Sequence, residues 1–420
     1  MNCEKFLFIL KLKEVTNYLP APDITELALT CHIINTLLKP ILSKYFIISI
    51  TKYDAHSQTG QNTIGFENEA NQYLKKNSNN LKVLKIVKSP SYYKIHLDWG
   101  ELSNLTTATF TGTFKLTELN KLITSSRSLK TLSLLRITVT DDESKANNPS
   151  YVKLPQALIS LNIDSFMWIM GDLNPYSASK HSELGNYLFG RELRLPNLKS
   201  LSCIQFSRDQ KNLLNFLLIK SPSLTKLETR FDTINQITYE LLNIRCSSLS
   251  SLMLKFNGEL SITEETLDSY KYAEDVDLLS LFENVCNNLI HVYLACKSCP
   301  NLTELSLQTN FIDVTNLSQV LPLLPQIEKL ALINYFNGID IKDLQFSNST
   351  IKHLILNKLD TVNLCNLIRH VENWTQLKHI SIESSEEGKA VDIEGDSKLE
   401  SSSKPWRYFV FSNSIQLWLQ

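Results

Sequence analysis

The sequence is poor in glycine, and its glycines never stand two residues apart. There are 11 of them in 420 residues. Without a Gly-x-Gly pattern, the chain has neither a dinucleotide-binding fingerprint nor a phosphate-cradling loop. The His-Glu-x-x-His and Gly-x-Ser-x-Gly patterns of metalloproteases and hydrolases are absent as well. We therefore assign no catalytic residue and no cofactor, and we expect a protein that is not an enzyme.

Long apolar runs and an excess of one charge are also lacking. No run approaches the ~18 to 20 apolar residues that a membrane-spanning helix needs, and the apolar run Phe6–Leu10 ends at Lys11, too soon for a secretory signal. The 42 Lys and Arg balance 43 Asp and Glu, whereas nucleic-acid binding needs a basic surface. The 8 cysteines are scattered. We expect a reduced protein of the cytoplasm or nucleus, with no membrane or nucleic-acid partner.

A single Cys-x-x-Cys pair, Cys296 and Cys299, lies five residues beyond His291. A structural zinc site needs four ligands, and no second pair stands at a suitable spacing. We predict no metal site. The pair more simply marks the end of a helix before Pro300.

A short apolar pattern recurs along the chain: an apolar residue, two variable residues, an apolar residue, one variable residue and a third apolar residue. Its copies begin at Leu81, Leu105, Leu129, Leu158, Leu198, Leu224, Leu249, Leu302, Ile327, Ile351 and Leu377. Most intervals are 24 to 26 residues, within the ~20 to 29 of leucine-rich repeats. From about residue 81 to 383 the chain resembles the leucine-rich-repeat family, in its branch with a helix after each strand. The resemblance implies an α/β solenoid with a parallel sheet on the concave face and helices on the convex face.

The segments between copies predict further elements. Apolar residues at helical spacing predict helices at 116–125, 210–220, 317–324 and 362–371. Two intervals are long: one contains an insertion, 166–191, expected as a loop or flap, and the other predicts a long helix at 276–299 in place of a strand. The polar stretch 384–404 predicts a mobile loop. The alternating segment 406–419 predicts a last strand.

Strand alternation assigns faces, because successive side chains point to opposite sides of a sheet. The leucines point inward and their neighbours line the concave face, where His353 and His379 occupy equivalent positions. Concave faces of solenoids bind partners. We therefore predict that the mixed charges near the middle of the chain contact a partner protein; the alternative is a solvated sheet face. These residues are Lys226, Glu228, Arg230 and Lys255.

Residues 1–50 do not show the repeat. Apolar segments bounded by prolines predict a small helical unit with a cap near Asp23. This stretch resembles an F-box, the module that docks on the Skp-family adaptor of cullin-RING ubiquitin ligases, although the usual Leu-Pro-x-Glu opening is absent. The resemblance implies an adaptor-binding surface formed by Val15, Tyr18, Leu19, Pro20, Asp23, Ile24, Leu27 and Leu38.

These patterns predict two domains, an F-box-like helical module at 1–50 and a leucine-rich-repeat solenoid at 51–420. The resemblance implies the substrate-recognition subunit of an SCF-type cullin-RING E3 ubiquitin ligase, with a Skp-family adaptor, a cullin complex and a protein substrate as partners. The alternative is a non-catalytic leucine-rich-repeat scaffold whose N-terminus is only a cap on the solenoid.

Overall fold

The structure is a computed structural model, and it divides the chain into two compact units, residues 1–198 and 199–420. Only part of each unit is described below. The described residues are 45–50, 72, 76–88, 102–140, 151–169, 184–204, 211–230, 233–255, 287–308, 317, 320–333, 350–357, 361–371, 374–384, 391–393, 406–411 and 413–419.

The first unit contains a parallel sheet. Its strands are β1 (Tyr45–Ile50), β2 (Val83–Lys88), β3 (Thr107–Lys115), β4 (Thr131–Thr140) and β5 (Ser160–Asp164), which pair in chain order, and β6 (Met167–Ile169), which pairs with the end of β4. The sheet therefore begins within the segment assigned to the N-terminal module. One irregularity lies between β3 and β4, where Arg136, with a φ of 50°, is an extra residue in the ladder.

The second unit contains a longer sheet. In spatial order its strands are β7 (Ser200–Ile204), β8 (Lys226–Arg230), β9 (Ser251–Lys255), β10 (Glu304–Gln308), β11 (Lys329–Ile333), β12 (His353–Asn357), β14 (His379–Glu383), β17 (Ser414–Leu419) and β16 (Trp406–Val410). The pairs from β7 to β14 are parallel, whereas β17 is antiparallel to both β14 and β16. A separate pair joins β13 (Thr361–Val362) to β15 (Asp392–Ile393).

Helices connect many of the strands. They are α1 (Leu116–Thr124), α2 (Leu184–Phe189), α3 (Lys211–Lys220), α4 (Gln236–Arg245), α5 (Asn287–Lys297), α6 (Leu364–Val371) and the 3₁₀ helix Leu321–Leu323. Each longer helix buries apolar residues three or four positions apart, such as Leu119, Leu122 and Ile123 in α1. In α4, Asn235 and Thr238 form a capping box, which satisfies N–H groups that the helix start leaves unpaired.

Leucine ladders form the core of both sheets. Within each unit the second and fourth residues of the repeat strands face inward in register, as Leu305, Leu330 and Leu354 do, and all three are 0% exposed. Thr229 occupies one of these apolar positions. It is accommodated because its hydroxyl donates to the Cys203 carbonyl oxygen at 3.1 Å, so the buried Thr229 hydroxyl is not left unpaired.

A second ladder consists of shared carbonyls just before the strands. The Lys352 carbonyl oxygen accepts from both the Lys378 and His379 N–H groups, at 2.9 and 3.1 Å, and the Glu328 carbonyl accepts in the same way from Lys352 and His353. The same arrangement recurs in both units. Asparagines before the first leucine add bonds one repeat back: Asn104 donates to the Asn79 carbonyl and Asn301 to the Ser247 carbonyl, each at 2.6 Å.

The structure confirms three of the predicted helices to within two residues, as α1, α3 and α6. The segment 317–324 ends as a 3₁₀ helix containing Pro322, which has no N–H to continue an α-helix. Of the predicted helix 276–299, residues 287–299 are described, and they contain α5. As predicted, no strand replaces this helix in the sheet, because β9 pairs directly with β10.

Three expectations about irregular segments were wrong in part. The insertion 166–191 contains β6 and α2, and the buried rings of Phe166 and Phe189 lie 6.0 Å apart. The stretch 384–404 is not entirely loop, because it contains β15. The segment 406–419 forms two strands rather than one, β16 and β17, because the chain reverses at a tight turn.

The ladder predicts opposite effects for neighbouring residues of β10. We expect Leu305→Ala to lower the free energy of unfolding by about 2–5 kcal/mol, because it leaves a cavity between two stacked repeats. Ser306→Ala, on the opposite face, is the matched control and should change it by less than about 0.5 kcal/mol. Urea unfolding followed by circular dichroism measures both. Equal losses for the two variants would contradict the assignment of faces.

Gly190 ends α2 with a φ of +79°, in the left-handed conformation that favours glycine. A Cβ atom added there would lie 2.9 Å from the ring of Tyr151. Both the backbone and the neighbouring ring therefore require glycine.

We expect Gly190→Ala to destabilise the chain by about 1–3 kcal/mol, from backbone strain and contact with Tyr151 together. The same change in a Tyr151→Ala background should cost less, because only the strain remains. Thermal unfolding of the parent, the two single variants and the double variant measures the cost of Gly190→Ala in each background. A Gly190→Ala variant as stable as the parent would refute the conformation described.

Candidate protein-binding face

One face of the second unit's sheet carries mainly polar and charged side chains, and we call it the polar face. It is formed by the first, third and fifth residues of the parallel strands, opposite the leucines. Along the first position the sheet presents Lys226, Ser251, Glu304, Lys329, His353 and His379 in register. The leucine ladder thus sets the spacing of these side chains.

The four predicted partner contacts lie together on β8 and β9, in differing environments. Lys226 is exposed, whereas Arg230 is only 7% exposed. Glu228 forms an ion pair with Lys255. The structure therefore brings all four to one area, in which Lys226 presents its charge to solvent and Arg230 is buried.

Two further ion pairs join neighbouring repeats, again between an acid of one repeat and a lysine of the next along the chain. Lys329 Nζ lies 3.6 Å from a Glu304 carboxylate oxygen, and Lys352 Nζ lies 2.5 Å from Glu328. Glu328 and Lys352 each stand one residue before a strand, whereas the other paired residues lie on strands. Exposed pairs of this kind contribute at most about 1 kcal/mol each. Their main effect is to fix where charges stand on the polar face.

A hydrogen-bond chain lies near the end of the sheet. His379 Nε2 lies 2.7 Å from Gln416 Oε1, and Gln416 Nε2 donates to Ser381 Oγ at 2.7 Å. An amide oxygen only accepts, so His379 carries a proton on Nε2 and donates it. The histidine is therefore bonded to Gln416 rather than to the Ser381 hydroxyl, and the arrangement is not that of a nucleophile with its base.

An aromatic row runs beside this chain. The rings of His353 and His379 lie 5.8 Å apart, as their equivalent positions predict, and His379 lies 5.2 Å from Trp418. Trp418 in turn lies 5.5 Å from Phe409. Burial, followed by the neighbouring His379 and Lys329, lowers the pKa of His353. The neutral form of His353 is therefore favoured near neutral pH.

Trp418 and Phe409 were not among the predicted contacts. Sequence alternation in 406–419 indicates a strand, but it does not reveal that the chain turns back and sets Phe409 beside Trp418. The useful signal is the pair of apolar runs that flank the polar residues 412–414, a spacing typical of a hairpin.

The Cys-x-x-Cys pair is buried at the end of α5, as predicted. Cys296 and Cys299 are free thiols, and Cys246 is close enough to influence Cys299. Burial raises the pKa of Cys246 to about 11, and burial with the nearby Cys246 raises the pKa of Cys299 to about 12. The Cys296 pKa is also raised well above its ordinary range by burial and by Cys299. In the described part of the chain, no group of three or more His, Cys, Asp or Glu is arranged to hold a metal.

The eight predicted adaptor contacts, from Val15 to Leu38, lie outside the described residues. Among the helices that the structure does describe, none is long and apolar enough to cross a membrane.

No protein-family model matches the sequence, and no curated protein matches it. Solved structures similar to this one include the leucine-rich-repeat protein LegL7 from Legionella pneumophila. The TM-score is 0.43 and the sequence identity is 13%, over 81% of this chain and 90% of that one. An internalin from Listeria monocytogenes gives 0.30 and 16% over 91% of each chain. A TLR13–ssRNA13 complex gives 0.35 and 16%, over 73% of this chain and 39% of that one.

The fold is assigned from the strands, core and helices of this chain. Successive repeats contribute one parallel strand each, stacked leucines fill the core, and helices occupy many of the connections. The described residues therefore form an α/β leucine-rich-repeat fold, of the kind that presents a sheet face for protein interaction.

The buried thiols predict low chemical reactivity. At about pH 8 we expect Cys246, Cys296 and Cys299 to resist Ellman's reagent in the native chain, because they are both protonated and shielded. In guanidinium chloride all should react. Mass spectrometry after native alkylation identifies the protected sites. Rapid native labelling of Cys296 would show that the end of α5 opens readily.

The same shifts predict how stability depends on pH. A thiol whose folded pKa is raised stabilises the fold below its unfolded pKa, and this contribution is lost as pH rises toward the folded pKa. The loss therefore falls between the ordinary thiol range and about 11 to 12.

Proposed function

We propose that the chain is a non-catalytic substrate-recognition subunit of an SCF-type cullin-RING ubiquitin ligase. In this proposal the polar face binds a target protein, and the N-terminal segment binds a Skp-family adaptor. The observation that carries it is the polar face itself, on which adjacent strands hold Lys226, the Glu228–Lys255 pair and the Glu304–Lys329 pair at fixed spacing.

Such a face suits recognition better than catalysis. Its charges are distributed over several strands, so that a partner is recognised by a combination of contacts and no single group is aimed at a reacting atom. The fixed ion pairs lower the cost of ordering long side chains on binding. No disulfide joins the described cysteines, which suits a reducing compartment such as the cytoplasm or nucleus.

In this proposal the chain acts by bridging a target protein to the ubiquitin ligase. With the adaptor held at one end and a target on the polar face, the target's lysines are kept at high effective concentration near the ubiquitin-carrying enzyme. The adaptor half of the proposal rests on the F-box resemblance of residues 15–38.

The test is direct binding between the full-length chain and a purified Skp-family adaptor. We expect a complex, and we expect joint replacement of Leu19, Ile24 and Leu27 by Asp to weaken it about tenfold or more, because apolar docking residues become charged. A polar-face variant, Lys226→Ala with Lys255→Ala, is the matched control and should bind the adaptor as the parent does.

The outcome separates the proposal from a plain scaffold. If the parent chain does not bind the adaptor and the triple variant unfolds at a lower temperature, the N-terminal segment acts as a cap. If the triple variant binds as well as the parent, the adaptor contacts have been misassigned.

A further inference from the structure

The last strand of the second unit's sheet has an open edge. β16 pairs with β17 on one side, and no strand in the described parts of the chain pairs with its other side. The Phe411 N–H donates to the Ser414 carbonyl at 2.8 Å. Because hydrogen-bonded pairs alternate in an antiparallel ladder, Phe409 and Arg407 also bond toward β17. The backbone N–H and C=O groups of Tyr408 and Val410 therefore point to the open edge.

This edge is largely apolar and carries few of the features that normally prevent pairing of edge strands. Phe409, Val410 and Phe411 are 57%, 53% and 51% exposed, so both faces of the strand end are uncovered. The strand contains no proline, its register with β17 has no bulge, and Arg407 is its one charge. Natural edge strands normally bear charges, prolines or bulges at such positions. An exposed apolar edge with a single charge, no proline and no bulge is a surface for strand addition.

We propose that β16 pairs antiparallel with β16 of a second copy of this chain, about a two-fold axis at Phe409. In this register Tyr408 of each copy forms two backbone hydrogen bonds with Val410 of the other copy, one through its N–H group and one through its carbonyl. The edge groups that β17 leaves free are thereby satisfied on both chains, with each contact made twice, as an isologous interface requires.

The charge pattern favours a second copy in this register. Arg407 faces Phe411 of the second copy and so avoids its own like charge, which would be destabilising directly across the strands. A guanidinium over an aromatic ring is an attractive contact. No acidic residue is needed from a partner.

The aromatic row adds a second reason. Phe409 already contacts Trp418 edge to face, and it sits at a non-hydrogen-bonded position of the proposed pair, where opposing side chains approach most closely. Phe409 of one copy would therefore pack on Phe409 of the other. The row from His353 through His379 and Trp418 would continue across the axis into the same row of the second copy.

One strand pair is a small contact, below the ~1,200 Å² typical of stable interfaces. The dimer should therefore dissociate on dilution. Sedimentation velocity of the full-length chain from about 1 to 100 µM should show a rising average mass, as expected for micromolar affinity. A chain that remains monomeric over this range overturns the proposal, including the case in which the edge takes an extended segment of another protein.

Two substitutions at one position separate backbone pairing from apolar adhesion. Val410→Pro removes an N–H that faces away from β17, so the hairpin keeps its bonds while the edge loses a donor. We expect it to weaken association about tenfold or more. Val410→Ala keeps the donor and reduces apolar surface, and it should have the smaller effect. Association that survives Val410→Pro, or falls equally in both variants, overturns the strand pairing.

Cross-linking tests the register. We expect Phe409→Cys to form a disulfide-linked dimer on mild oxidation with diamide, because the two-fold axis brings this position close to itself. Arg407→Cys is the matched control on the same face and should not cross-link to itself, and the parent chain reports the background from native cysteines. Equal cross-linking of both variants would refute the axis at Phe409. Adaptor binding does not enter these measurements, so their result is independent of the proposed function.

Discussion

The shared carbonyl before each repeat strand is the constraint on which the rest of the fold depends. One oxygen accepts from two successive N–H groups of the next repeat, as Lys352 does from Lys378 and His379. This contact aligns the first residue of one strand with the first residue of the next. A slip of one residue would move every side chain to the opposite face of the sheet. The same strand register is therefore required both for the leucine ladder and for the polar face.

From this alignment follows the character of the polar face. Side chains from residues about 25 positions apart stand side by side, which lets Glu304 meet Lys329 and His353 meet His379. The same geometry buries Arg230 and leaves Lys226 exposed on the same strand. A partner would encounter a pattern of charges whose spacing is set by strand register.

Much of this could be predicted from sequence, because the repeat signal is local. The apolar triplets locate the repeat strands, and helical spacing locates α1, α3 and α6. Short strands such as β6 and β15 were missed, since two or three residues carry no periodicity and are held by distant partners. The charged residues of β8 and β9 could be assigned to one face, but their pairing and burial depend on neighbours that sequence spacing alone does not specify. The hairpin was missed because alternation is the same in one long strand as in two short ones.

The direct pairing of β9 with β10 shows how little the sheet depends on the length of its connections. The intervening segment is about twice as long as an ordinary repeat, yet Glu304 aligns with Ser251 as any neighbouring strands do. Doubling a connection costs only about 0.6 kcal/mol of closure entropy, a small loss beside one buried leucine. Connections can therefore lengthen while the spacing of the polar face stays the same, so that connections and strands are free to evolve at different rates.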